Sequence, residues 1–236
     1  MAAVTVSGLS KRYGAVTALD DVSFAVGEGR VTAFLGPNGA GKTTTLRLVL
    51  GLARPSSGEA LVGGVPYARL PRPRRVVGAV LENTAAHPGR RGRDHLRVLA
   101  RAAGADDARV DEVLDRVGLS SADARRRAGG YSLGMRQRLG IAGALLGDPQ
   151  VLILDEPANG LDPGGMAWLR GMLRDLAAQG RTVVLSSHVL SEVAQTADDV
   201  VVLHRGVLRY SGPLDALAGD GSLESAFLRL TAAVPA

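Results

Sequence analysis

Residues 36–43 read Gly-Pro-Asn-Gly-Ala-Gly-Lys-Thr and fit the pattern GxxxxGK[ST]. They follow a buried-strand run, Arg30 to Leu35 (RVTAFL), and precede Thr45 to Leu52, where Leu46, Val49 and Leu50 recur at helical spacing. A strand, a glycine loop and a helix in that order make a phosphate site. Glycines let backbone N–H groups converge on phosphate oxygens, and the helix start adds its partial positive charge. Lys42 reaches the β and γ phosphates, and the Thr43 hydroxyl is a Mg²⁺ ligand. A glycine turn that merely caps a helix is the bland alternative. The chain has only two lysines, Lys11 and Lys42, among 28 basic residues, so one of them stands where the motif needs it. Neither lies in an NKxD context, which removes a guanine-reading GTPase.

Around the loop the hydrophobic pattern alternates between strand and helix. Short strands are expected at Val4 to Val6 and Val22 to Val26, with further strands at Glu59 to Val65 and Arg75 to Leu81. Between Asp94 and Gly118 the period becomes helical, with Leu96, Leu99, Ala100 and Ala103 on one face and Val110, Val113, Leu114 and Val117 on another. From Val151 strand and helix alternate again: VLIL, a helix lined by Met166, Leu169, Leu173 and Leu176, a strand at Thr182 to Leu185, and a short helix at Leu190 to Ala197. A hairpin around Gly206 and an amphipathic tail helix at Leu223 to Leu230 follow. This order predicts an α/β domain with a parallel sheet and a mostly helical insert.

Composition excludes several classes. With no cysteine, thiol catalysis, disulfides and zinc–thiolate sites are all absent, and the four histidines form no ligand-like pair. No run approaches 18 apolar residues, and the N-terminal stretch lacks the order of a signal peptide, so a cytoplasmic chain is expected. A net charge of +5 invites nucleic acid, but aromatics at 3% cannot supply stacking platforms, and no nucleic-acid partner is expected.

Val151 to Leu154 end in Asp155 and Glu156, two acids at the C-terminal edge of a hydrophobic strand. Beside a phosphate loop their roles divide. Asp155 can hold Mg²⁺ through water, and Glu156 can orient and deprotonate an attacking water. Two acids capping a loop would be the better reading of Asp-Glu alone.

Taken together, these residues resemble the ATP-binding subunit of an ABC transporter, and the resemblance covers nearly the whole chain. Gly36 to Thr44 (GPNGAGKTT) occupies the Walker A loop, Tyr131 to Met135 (YSLGM) the LSGGQ signature, and LILDEP the Walker B strand. Asn159 to Asp162 (NGLD) stands at the D-loop, Ser187-His188 at the switch histidine, and Tyr13 where the family stacks an aromatic on adenine. The resemblance implies an α/β P-loop NTPase (RecA-like) parallel sheet core with an N-terminal antiparallel β portion and an inserted α-helical subdomain. One domain would span 1–236, with 1–83 and 150–236 forming the core and 84–149 the helical signature subdomain.

The same resemblance implies ATP and Mg²⁺ as cofactors. ATP would be bound by Tyr13, Gly36, Pro37, Asn38, Gly39, Ala40, Gly41, Lys42, Thr43, Thr44, Ser132 and Gly134. Mg²⁺ would be held by Thr43, Asp155 and Glu82, and catalysis carried by Glu156, His188, Lys42 and Glu82. Ser132 opens an apolar helical stretch, Met135 to Leu146, and so offers a second helix-start anion site, although an ordinary N-cap is the reading for Ser132 alone. Two anion sites in one chain fit two subunits packed head to tail, as homodimer or heterodimer, each signature closing on the partner's ATP. The pair would drive a separate transmembrane permease at the inner face of the membrane. The signature has Leu133 for its first glycine and Met135 for its glutamine, and Glu82 replaces the glutamine of the Q-loop. The stretch Leu81 to Ala103 and the ending SLESAFLRL are similar to drug and antibiotic exporter ATPases. A soluble ABC-type ATPase acting on ribosomes or DNA is the alternative.

Overall fold

The computed structural model describes residues 2–81, 86–219 and 221–232, so Glu82 lies outside the described residues. In chain order the elements are β1 (Ala2–Tyr13), β2 (Val16–Gly27), β3 (Val31–Leu35), α1 (Lys42–Val49), β4 (Ser57–Val62), α2 (Pro73–Val76), β5 (Val77–Val80), α3 (Gly92–Ala103), α4 (Asp107–Arg116) and α5 (Ser121–Arg125). There follow α6 (Leu133–Leu145), β6 (Val151–Leu154), α7 (Pro163–Ala178), β7 (Thr182–Ser187), α8 (Leu190–Thr196), β8 (Asp199–His204), β9 (Val207–Pro213), α9 (Leu214–Ala218) and α10 (Leu223–Thr231). These elements form two compact units, Met1–Pro71 with Met172–Ala236, and Arg72–Gly171.

In the first unit β3 runs parallel to β7 on one side and β8 on the other, and all five of its residues are buried. A parallel strand covered on both faces is apolar throughout, which is why RVTAFL shows no alternation. β9 closes back antiparallel on β8 across the Arg205–Gly206 turn. A second sheet has the order β2-β1-β4, all antiparallel. Phe24 of β2 and Phe34 of β3 meet edge to face with ring centroids 5.2 Å apart, an aromatic contact that adds about 1 kcal/mol to their burial.

The N-terminal strands differ from expectation. Each runs for 12 residues, not the three to five that the apolar alternation marks. Ser7, Gly8 and Ser10 interrupt the alternation, but the pairing continues through register shifts, and serine hydroxyls satisfy amides at the irregularities. Gly8 N donates to Ser23 Oγ at 2.8 Å and Asp21 N to Ser10 Oγ at 3.0 Å. The strand expected from Arg75 begins at Val77, because Pro73 opens a helical turn ahead of it.

In the second unit β5 and β6 pair in parallel, α3, α4 and α6 fall where the periodicity predicts helix, and the short α5 is additional to it. The stretch from Asp94 to Gly118 divides in two. Gly104, left-handed at φ 69°, ends α3, and Asp106 restarts the chain as N-cap of α4, its carboxylate accepting Arg109 N at 2.9 Å. Leu96 and Ala100 of α3, Val110, Val113 and Leu114 of α4, and Leu139, Ile141 and Leu145 of α6 are buried. Among the described residues no helix is long and apolar enough to cross a membrane.

Candidate functional site

The loop between β3 and α1 is shaped by close approach. A Cβ on Gly36 would overlap Leu203 O and stand 2.8 Å from Ala40 Cβ, so no side chain fits there. Gly41 holds φ 107°, and a Cβ on it would lie 2.6 Å from Leu19 Cδ2 and 2.9 Å from Ala18 O. Leu19 of β2 and the β8–β9 turn therefore wall the loop from behind, with Gly206 N donating to Ala40 O at 3.0 Å and Gly206 O accepting from Asp20 N at 2.9 Å. These neighbours are not visible in the motif. Gly206 reads in the sequence only as a hairpin turn.

Pro37, Asn38 and Gly39 are exposed at the crown of the loop, while Ala40 and Gly41 are buried. Lys42 is 6% exposed, and its ammonium donates to Gly36 O at 2.6 Å, bridging the loop from end to start. The first turn of α1 contains Lys42, Thr43 and Thr44, and Gly41 provides no side-chain cap. Amides at a helix start have no intrahelical acceptor, so a helix start without a side-chain cap, with a lysine at its first position, fits a polyphosphate. The Thr43 hydroxyl, in the first turn of α1, is half-buried and is a hard oxygen of the kind Mg²⁺ takes.

In the same unit Tyr13 ends β1, 49% exposed, with Lys11 Nζ 4.7 Å from its ring centroid. Lys11 also donates to Arg54 O at 2.7 Å, so the second lysine of the chain holds a turn and an aromatic face. His188 is exposed just past β7, and Val189 N donates to Ser187 Oγ at 3.0 Å to close the bend that carries it.

The second unit contains the other expected site residues. Asp155 follows β6, its N–H donating to Val80 O at 2.8 Å, so it is held by the β5–β6 pair. Glu156 is half-buried with φ 48°, a left-handed conformation that is uncommon for a residue with a side chain and concentrates at functional positions. Ser132 caps α6, its hydroxyl accepting Met135 N at 3.2 Å, and the α6 amides start beneath it. The approach to Ser132 is tied down: Tyr131 is buried and donates to Asp123 O at 2.7 Å, and Arg126 donates to Gly130 O at 2.9 Å. The structure thus groups Tyr13, the phosphate loop and His188 in one unit, and Ser132, Gly134, Asp155 and Glu156 in the other.

Residues 19–159 match the ABC transporter family. The chain belongs to that family. It is an ATPase domain of the ABC type, and ATP with Mg²⁺ is what such a domain binds. The chain is 41% identical to the uncharacterized ABC transporter ATP-binding protein YdbJ of Bacillus subtilis over 207 residues, covering 86% of this chain and 67% of that one. It is 40% identical to the bacitracin transport ATP-binding protein BcrA of Bacillus licheniformis over 217 residues, 91% of this chain and 71% of that one. The lantibiotic transport ATP-binding protein SrtF of Streptococcus pyogenes is 36% identical over 94% of both chains. This ABC domain therefore spans about two thirds of the length of some relatives and nearly all of another.

The solved structure of an ATP-binding subunit of an ABC transporter superposes with a TM-score of 0.87 at 30% identity, covering 96% of this chain and 98% of that one. A bacterial ABC transporter cassette solved as a dimer superposes with a TM-score of 0.83 at 23% identity over 89% of this chain and 98% of that one, a likeness of fold. The architecture is the RecA-like P-loop NTPase fold with its N-terminal antiparallel sheet and inserted helices.

Proposed function

We propose that this ABC ATPase hydrolyses Mg-ATP as one half of a head-to-tail pair and so powers a separate membrane permease that exports an antibiotic or a similar drug. The observation that carries the reading is Lys42, 6% exposed at the first position of α1, its ammonium donating back to Gly36 O across a loop where glycine is sterically required. Identity of 36–40% to ATP-binding proteins named for bacitracin and lantibiotic transport supports the export assignment. The domain works at the inner face of the membrane, held there by its permease.

Each residue has a distinct task in this reading. Tyr13 stacks on adenine. The amides of Gly39 and of residues 41–44, with the Lys42 ammonium, hold the β and γ phosphates in place, so that little reorganisation is needed when charge shifts in the transition state. Thr43 and Asp155, with Glu82, hold the metal, which when bound neutralises phosphate charge. Glu156 orients the attacking water and takes its proton, and His188 contacts the γ-phosphate. Ser132, Gly134 and the start of α6 present a second set of donors to the nucleotide on the partner subunit.

The test is phosphate release by the domain purified with the permease that accompanies it from membranes. Release that needs Mg²⁺ and disappears in Lys42→Ala, in a chain that remains folded, is the expected result. Release that persists in Lys42→Ala overturns the reading.

A further inference from the structure

Leu133 and Leu161 each lie over a glycine that neighbours the other. A Cβ on Gly160 would overlap the Leu133 side chain, standing 2.5 Å from its Cγ, and a Cβ on Gly134 would stand 3.4 Å from Leu161 Cδ2. Gly160 also holds φ 76°, so its bare backbone meets two demands, a left-handed turn and room for the leucine. Leu133 is the first residue of α6, directly after Ser132, and is 53% exposed, which is not the place of a core residue. One helical turn along, Gln137 Nε2 donates to Asn159 O at 3.4 Å.

From Gly160 the chain is tied back to Glu156. Asn159 N donates to Glu156 O at 3.2 Å and Leu161 N to Ala158 O at 3.1 Å, so two turns join the Glu156 backbone to the glycine. Asp162 then caps α7, its Oδ1 accepting Gly165 N at 2.7 Å, which anchors the far side of the turn. A continuous series of contacts within Arg72–Gly171 therefore runs from Glu156 through Gly160 and Leu133 to Ser132.

We propose that the Leu133–Gly160 pair is a positioning device for ATP hydrolysis. It sets the helix start that presents Ser132 against the turn that follows Glu156, so the donors offered to the partner's nucleotide keep register with the subunit's own catalytic carboxylate. This rests on the function proposed above. Leu133 has no group that can carry charge or a proton, so it acts only through the placement of Ser132, and a misplacement of about 1 Å at a reacting site is enough to cost on the order of 10²-fold in rate. Glycine at 133 would remove the contact and leave the turn after Glu156 free to move relative to α6.

The experiment is a double-mutant cycle at these two positions. Gly160→Ala puts a methyl group where Leu133 lies, and kcat is expected to fall by about tenfold or more, with the Mg-ATP affinity of the isolated subunit changed by less than about twofold. Leu133→Gly combined with Gly160→Ala is expected to return kcat to the level of Leu133→Gly alone, because the clash is gone. Alanine at φ 76° is strained whatever its neighbour, and if that strain is the whole effect the double variant stays as slow as Gly160→Ala, which overturns the proposal. Thermal unfolding of the four proteins without nucleotide reads the pair independently of turnover: a non-additive Tm cycle supports it and an additive one overturns it. If the wild type releases no phosphate at all, the ATPase reading fails while the unfolding cycle still decides the pair. If Gly160→Ala yields no folded protein, a folded double variant supports the pair and an unfolded one overturns it.

Discussion

The Arg138 guanidinium stands 4.0 Å from the centroid of the Trp168 ring, and the two side chains donate to neighbouring carbonyls at the end of α4. Arg138 reaches Val117 O at 2.5 Å and Trp168 Nε1 reaches Arg116 O at 3.4 Å. The last carbonyls of a helix have no intrahelical donor, so one stacked pair satisfies two of them and joins α4, α6 and the start of α7.

Arg138→Met keeps the apolar stem and removes both the cation and the donor. It is expected to destabilise the protein by about 1–3 kcal/mol, the combined worth of a charged hydrogen bond and a partly shielded cation–π contact. Arg138→Lys should recover little of this, since a point charge cannot stack on the ring as a planar guanidinium does. Urea unfolding followed by fluorescence reads the site directly, because Trp168 is the sole tryptophan.

Glu156→Gln preserves shape and loses basicity. Turnover should fall by on the order of 10² to 10⁴ while ATP binding survives, and ATP should then hold the paired form closed. Single-turnover phosphate release together with gel filtration in ATP checks both parts. Near-normal turnover would remove Glu156 from the role of base.

In the proposed head-to-tail pair, Lys42→Ala and Ser132→Arg impair different halves of each site. Neither variant alone should hydrolyse ATP, but mixed dimers should regain one working site, in which an intact phosphate loop faces an intact α6 start. Mixed dimers shown to form yet giving no hydrolysis would count against the head-to-tail arrangement.

Glu82→Gln exchanges a full charge for a dipole. In the proposed role beside the phosphates its carboxylate would repel bare ATP and attract the Mg²⁺ complex, an interaction of roughly 3 kcal/mol for unit charges about 5 Å apart at a dielectric of about 20, less with solvent exposure. The substitution should therefore narrow the difference between ATP affinities measured with Mg²⁺ and with chelator, while part of the hydrolysis remains. Nucleotide titrations under both conditions decide it, and an unchanged Mg²⁺ dependence would retire the residue from the metal site.

Much of this site is legible in the sequence because it is local. The glycines, Lys42 and Thr43 of the phosphate loop occupy consecutive positions whose spacing is set by the ligand, and a helix start needs nothing distant to become an anion site. VLIL followed by Asp155 and Glu156 is equally local, since a buried parallel strand is apolar along its length and the first charged residues mark where it ends, even though Asp155 itself stays buried. The helical span after Asp94 shows its period directly, and the separate caps at Gly104 and Asp106 divide it.

What only the tertiary structure decided are contacts between segments with no shared periodicity. Leu133 is 27 positions from Gly160, and nothing in YSLGM or NGLD says that the leucine needs that glycine bare. Leu19 and Gly206 wall the phosphate loop from opposite ends of the chain, and the length of β1 and β2 depends on serine hydroxyls satisfying amides on the neighbouring strand. Patterns of hydrophobicity record which side of an element is buried. They do not record which atom meets which across a packed interface, because many sequences with the same pattern would fill the same space differently.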